Sequence, residues 1–176
     1  MTDRVLFVLT FGAALGSGLI GGVFFGFSSF IMTALARLPA AQGIAAMQSI
    51  NIVVINRVFL TAFVGTAAVS AVLTASTLFL RHRPGAAYVL AGSLLYLVGT
   101  FIVTMAFNVP RNDALAGVDP ASADGARLWA EYAVGWTRWN HVRTAAAVAA
   151  AASLTMALWI SGAASYSSVF ATRMVK

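Results

Sequence analysis

Six residues within one short stretch carry side chains suited to holding a flat, electron-rich ligand. With Trp136 at zero on a helical wheel of ~100° per residue, Trp129, Tyr132, Trp139, Asn140 and Arg143 all fall within ~60° of it. Arg127, Glu131 and Arg138 fall on the opposite, solvated side. Indole and phenol rings stack on planar aromatics, and a guanidinium beside an amide can orient the oxygens of such a ligand. The ordinary reading of the same face is a headgroup belt, since Trp and Tyr gather at membrane–water interfaces and there bind only lipid. Arg143 pulls the other way, because a charge at the mouth of an apolar span usually faces a bundle interior or a watery cavity.

A second set lies some thirty residues earlier. Gly92, Tyr96, Thr100, Thr104 and Asn108 follow one another at i+4 spacing in an otherwise apolar run. Each step turns an α-helix by ~40°, so this row should wind slowly around it. The row ends in Asn108-Val109-Pro110-Arg111-Asn112. Proline withdraws a backbone donor and frees a carbonyl, and irregular backbone at membrane depth survives only where protein or water satisfies it. Two amides and an arginine around such a break make a candidate site; the plainer reading is a helix stop with asparagine as its cap. Gln48, Asn51 and Asn56 add polar points to another segment, and Phe25 adds an aromatic ring on the first apolar run. His141 is the one histidine beside a span. Its pKa near neutrality suits a general base or an axial metal ligand, but it sits ~140° from Trp136 on the wheel, nearer the solvated face. His82 lies in a basic turn and reads as a surface residue.

Several chemistries are excluded. The chain has no cysteine, hence no thiolate nucleophile and no Cys-based zinc or iron–sulfur site. Two distant histidines without HxxxH or ExxH spacing rule against a protein-caged zinc, copper or di-iron centre, so no metal ligand is expected. A haem held by one histidine needs no motif and stays open; no other cofactor is expected. Gly21-Gly22 lies inside an apolar run, not after a strand, which removes a phosphate loop.

These residues need elements to position them, and the composition says which. The 176 residues are 60% hydrophobic and 9% charged, with a mean hydropathy of +0.88, against roughly 25% charged in soluble domains. The chain reads as an all-α integral membrane protein. A hydrocarbon core of about 30 Å takes ~20 apolar residues as a helix, and four uncharged stretches qualify: Val5–Ala36, Val58–Leu80, Pro84–Pro110 and Thr144–Thr172. The expected architecture is a four-helix bundle forming a single domain over residues 1–176, with an extra helical segment before spans two and four. Ala40–Arg57 should lead as helix into span two, Arg111–Gly125 should be loop, and Ala126–Arg143 should run as helix into span four. No acid falls inside a span, so a carboxylate proton relay is excluded.

The net charge of +6, from eleven basic and five acidic residues, fits anionic lipid headgroups and orientation signals, not nucleic acid. An uncharged first run of 32 residues is too long for a signal h-region of about 7–15, so it reads as a retained helix extending past the bilayer. Four spans put both termini on one side. Arg4, Arg81, Arg83, Arg173 and Lys176 then crowd three short segments, which makes that side cytoplasmic by charge density near the span ends. Gly18, Gly22 and Gly26, with the alanines at 145–147 and 149–152, predict close packing of helices one and four.

Gly21-Gly22-Val23-Phe24-Phe25-Gly26-Phe27-Ser28 through Met32 and Leu35, Met47-Gln48-Ser49-Ile50-Asn51, Thr104 through Asn112 with Leu115, and Trp136-Thr137-Arg138-Trp139-Asn140-His141-Val142-Arg143 occur in this order. Together they resemble the anthrone-oxygenase-like family of small four-helix membrane proteins, whose bacterial members were long catalogued as a domain of unknown function. The resemblance implies a bacterial plasma-membrane location and oxidation of an anthrone to an anthraquinone by oxygen without a cofactor. It would place Trp136, Trp139 and Tyr132 against the flat substrate, with Phe25, Gln48 and Asn51 also lining its site. Asn108, Asn112, Asn140 and Arg143 would hold the oxyanion, and His141 would be the base. Beside this stand a non-enzymatic membrane protein that binds a lipid, a quinone or a partner subunit, and a haem redox protein using His141. A transporter lacks an inverted repeat and an intramembrane acid; a homo-oligomer would supply the missing bulk.

Overall fold

Breaks at Pro39, Asn56, Gly85 and residues 117–122 divide the chain into five helices. The structure is a computed structural model that describes residues 3–174, with side chains through Ala164. The helices are α1 (Asp3–Ala36), α2 (Ala40–Val53), α3 (Arg57–Leu80), α4 (Ala86–Ala116) and α5 (Ala123–Met174). No strand occurs among the described residues. Helices α1, α3, α4 and the Ala123–Ala164 part of α5 are each long and apolar enough to cross a membrane. Lys176 and the side chain of Arg173, which enter the orientation argument, lie outside the described residues.

Each break has a local cause. The Asn56 carboxamide accepts from the Phe59 N–H at 3.0 Å and donates to the Val53 carbonyl at 2.9 Å, so it starts α3 and closes α2 at once. Side-chain capping of this kind replaces bonds the helix ends cannot make internally. The expected continuous helix from Ala40 into span two is therefore two helices. Gly85 has φ +82°, and a Cβ there would lie 2.8 Å from the Ala157 carbonyl oxygen. Both its left-handed backbone and the approach of α5 require glycine.

Neighbouring helices form a ring: α1 packs on α5 most extensively, α5 on α4, α4 on α3, and α3 on α1. This leaves α3 and α5 on a diagonal. The expected pairing of the first and last spans is present, and Gly18 takes part in it, an added Cβ there lying 3.9 Å from Ala151 Cβ, but Gly22 and Gly26 do not. A Cβ at Gly22 would meet nothing, and one at Gly26 only Phe30 and Ile31 of its own helix. Gly21 is the close approach, where an added Cβ would lie 3.3 Å from Val148 Cγ2 and 3.4 Å from Ala147 Cβ. Ala147 and Ala150 are buried, giving van der Waals contact that lipid tails cannot drive by hydrophobicity. The outward faces stay apolar: Phe7, Leu15, Leu19, Phe30, Phe79 and Trp159 are all exposed.

The third span differs most from expectation. Proline 110 does not end it; α4 runs on to Ala116, and the expected loop at 111–125 shrinks to residues 117–122. Just upstream the helix widens, with the Val103 N–H bonded to the Val98 carbonyl and the Val109 N–H to the Thr104 carbonyl. These are i→i+5 bonds, one residue longer than in an α-helix. Pro110 then falls in the first turn of the resumed α-helix, where a missing N–H costs little. Wider turns also undo part of the α-helical drift, so Gly92, Tyr96, Thr100 and Asn108 all remain buried, not wound outward.

Candidate functional site

A buried arginine organises one end of the bundle. Arg143 is 4% exposed. It has no acidic partner, since the ion pairs among the described residues are Asp3–Arg83 and Asp124–Arg127. Its guanidinium carbon lies 3.9 Å from the centroid of the Phe24 ring and 4.7 Å from that of Trp136. Its Nε donates to Asn140 Oδ1 at 2.9 Å and its Nη1 to Thr104 Oγ1 at 3.3 Å. Two ring faces, an amide oxygen and a hydroxyl oxygen thus meet the guanidinium, groups that suit a cation.

Asn140 links that cation to α1. Its Nδ2 donates to the Phe24 carbonyl and to Ser28 Oγ, each at 2.7 Å. Ser28 and Thr144 share a hydrogen bond of 3.0 Å. The α1 residues sit where that helix also widens, with the Met32 N–H bonded to the Phe27 carbonyl. Such single wide turns shift the carbonyl ladder and often mark functional positions.

Two more amides hold the aromatic residues. Asn112 Oδ1 accepts from the Tyr132 hydroxyl at 2.9 Å and from Trp136 Nε1 at 2.8 Å. Asn108 Nδ2 donates to the Trp136 carbonyl at 3.2 Å. Trp136 is therefore fixed through both its backbone and its indole. Asn108 Oδ1, by contrast, is buried without a partner. Trp129, Tyr132 and Trp136 stack in series, with centroids 5.6 and 6.3 Å apart. Trp139 lies flat against Phe107 at 3.6 Å. From α2, Gln48 Nε2 donates to the Leu115 and Val118 carbonyls at 2.9 and 3.1 Å, closing the end of α4. Asn51 abuts the Tyr132 hydroxyl, and its Nδ2 is a second buried, unpartnered amide group.

The structure thus brings together Asn108, Asn112, Tyr132, Trp136, Asn140 and Arg143, with Asn51 at their edge. Gln48 serves the backbone of α4, and Trp139 is covered by Phe107. Two expected residues stand apart. Phe25 is 57% exposed on the outer face of α1, and the ring under Arg143 is its neighbour Phe24. His141 is exposed and shares no hydrogen bond with the cluster, as its wheel position suggested. Phe24, Ser28, Thr104 and Thr144 join the site without having been singled out as site residues. Thr104 lay in the i+4 row, whereas choosing Phe24 over Phe25 needs the pitch of α1 that only the packed helix reveals. A void of about 700 Å³ opens at the opposite end; from its Thr10 to Phe24 is ~21 Å along α1. Among the described residues no group of three His, Cys, Asp or Glu is placed to hold a metal ion.

Fold and site together define a helical bundle, with four helices long and apolar enough to cross a membrane, that packs amides and aromatic rings against a buried arginine. The chain belongs to the anthrone oxygenase family, whose family model matches residues 53–153. That stretch holds Asn108, Asn112, Tyr132, Trp136, Asn140 and Arg143, while Phe24, Ser28, Gln48 and Asn51 lie outside it. No curated protein and no solved structure matches the chain.

Proposed function

We propose that the protein is a membrane oxygenase that converts a flat polycyclic aromatic of the anthrone type into the corresponding quinone with molecular oxygen. The observation that carries this reading is the buried Arg143, charged, without a carboxylate, and flanked by Asn140 and the Trp136 ring in a chain of this family. An anthrone's central methylene is acidic because its anion is an aromatic phenolate. A fixed cation aimed at that oxygen stabilises the anion, and preorganised charge of this kind is typically a large catalytic contribution. Asn108 Oδ1 supplies a free acceptor for another polar group on the substrate.

The reaction balances without an added cofactor. The methylene loses one proton to water, and the electron-rich anion passes one electron to oxygen. The two radicals combine to a peroxide anion at the former methylene, which takes the proton back from water to become the hydroperoxide. Loss of the remaining hydrogen with the O–O bond gives the quinone carbonyl and one water. Arg143 holds the phenolate oxygen throughout, and Trp136 with Trp139 supports the ring faces, Trp139 after Phe107 is displaced. His141 has no part in this scheme, because it faces away from the cluster.

The test is turnover of an anthrone by the detergent-purified protein under isotopically heavy oxygen gas. The expected result is quinone formation faster than in buffer, with one labelled oxygen atom per quinone. A rate equal to buffer, or a quinone labelled from water, would overturn the proposal. An absorption spectrum before and after dithionite belongs beside it: a stoichiometric Soret band lost in His141→Ala would replace this scheme with a haem-based one.

A further inference from the structure

The cavity far from Arg143 lies between the start of α1, the end of α3, the start of α4 and the 157–164 stretch of α5. Its volume of about 700 Å³ is within the ~300–1,000 Å³ of sites that enclose small ligands. Leu6, Thr10, Leu80, Val89, Ala157 and Leu158 form much of its wall, and that wall is mostly aliphatic. The polar groups gather at one place. Asp3, Arg4 and Arg83 border the cavity, and Arg81 follows α3 directly at the same end.

Charge is unevenly used there. Asp3 pairs with Arg83, which leaves Arg4 with no hydrogen-bond or ion-pair partner among the described residues. Three arginines against one aspartate give this end a net positive charge. An apolar chamber with a free cation at its mouth is complementary to an amphiphile with an anionic head and a hydrocarbon tail. Basic pockets between membrane helices hold anionic lipid headgroups for this reason. We propose that this cavity binds one acyl chain of an anionic phospholipid, with Arg4 holding the phosphate beside the Asp3–Arg83 pair. The inference rests on the bundle lying in a membrane and is independent of the oxygenase reading.

Gly162 provides a clean probe. It lines the cavity, and a Cβ added there meets no atom of the described residues within 4 Å, so Gly162→Phe fills space without a clash against them and removes a helix-weakening glycine. Native mass spectrometry of the full chain, titrated with phosphatidylglycerol or with phosphatidylcholine of the same chains, reads the outcome. The wild type should retain one phosphatidylglycerol in preference to phosphatidylcholine. Arg4→Gln, a substitution on an exposed residue, should cut that preference by about five-fold, and Gly162→Phe should lose both lipids. Equal retention of the two lipids by the wild type would overturn the proposal. So would unchanged retention in Gly162→Phe, or retention of a free fatty acid with none of the phospholipid.

Discussion

A guanidinium taken out of water without a carboxylate costs several kcal/mol. Arg143 bears that cost while making hydrogen bonds only to an amide and a hydroxyl. Arg143→Met removes the buried charge and leaves Asn140 Oδ1 without its donor, a loss of about 1–3 kcal/mol. The first effect outweighs the second, so thermal melting in detergent should show a Tm equal to or above wild type; a large fall would mean that the arginine is structural. Sites that work through strained or unpaired groups commonly trade stability for activity in this way. His141, one turn from Trp136 in sequence yet exposed, is the opposite case. His141→Ala should turn over an anthrone at the wild-type rate, and a loss of more than ten-fold would restore the histidine to the mechanism.

At the scale of elements, the pairing of α1 with α5 depends on the missing side chain of Gly21. Gly21→Leu pushes a side chain into Val148 and Ala147, which are 3.3 and 3.4 Å from where its Cβ would stand. Overpacking of this kind typically costs about 1–3 kcal/mol. A lowered Tm is expected, whereas Gly22→Leu, facing open space, should melt as wild type does. The small-residue pattern was legible as a pairing of the first and last spans, because glycine and alanine are what close helices need. Which glycine makes the contact was not, because it depends on the rotation of α1 against its neighbours. The same limit governs α4. Its span and its polar row could be read from hydropathy and spacing, but Pro110 read as a stop. No residue type marks an i→i+5 turn, and it is this turn that lets the helix absorb the proline. Most of the aromatic face of α5 was legible, since a regular helix of ~100° per residue brings Trp129, Tyr132, Trp136, Asn140 and Arg143 to one side, whereas Trp139, expected on the same face, stacks on Phe107. Its partners on α1 were not, as they are neighbours only across the packed bundle.

Taken whole, the molecule has its arginine cluster at the end closed by α2 and its large cavity at the end that carries Asp3, Arg81 and Arg83. Charge density predicts that the second end faces the cytoplasm. The absence of cysteine from the sequence makes His82→Cys a single reporter in the α3–α4 turn. A membrane-impermeant maleimide should label it in inverted vesicles and not in intact cells, and the reverse pattern would invert the orientation. In either orientation, an apolar bundle suits the oxygen and the oily tricyclic substrate of the proposed reaction. The proposed function requires that the enclosed cation accelerate the oxidation. Oxygen uptake with an added anthrone, wild type against Arg143→Gln at matched helical content, measures this directly. Uptake well above the uncatalysed rate is expected in the wild type, with a fall of about 10²–10³-fold in kcat in the variant. Equal rates in the two folded proteins would contradict it.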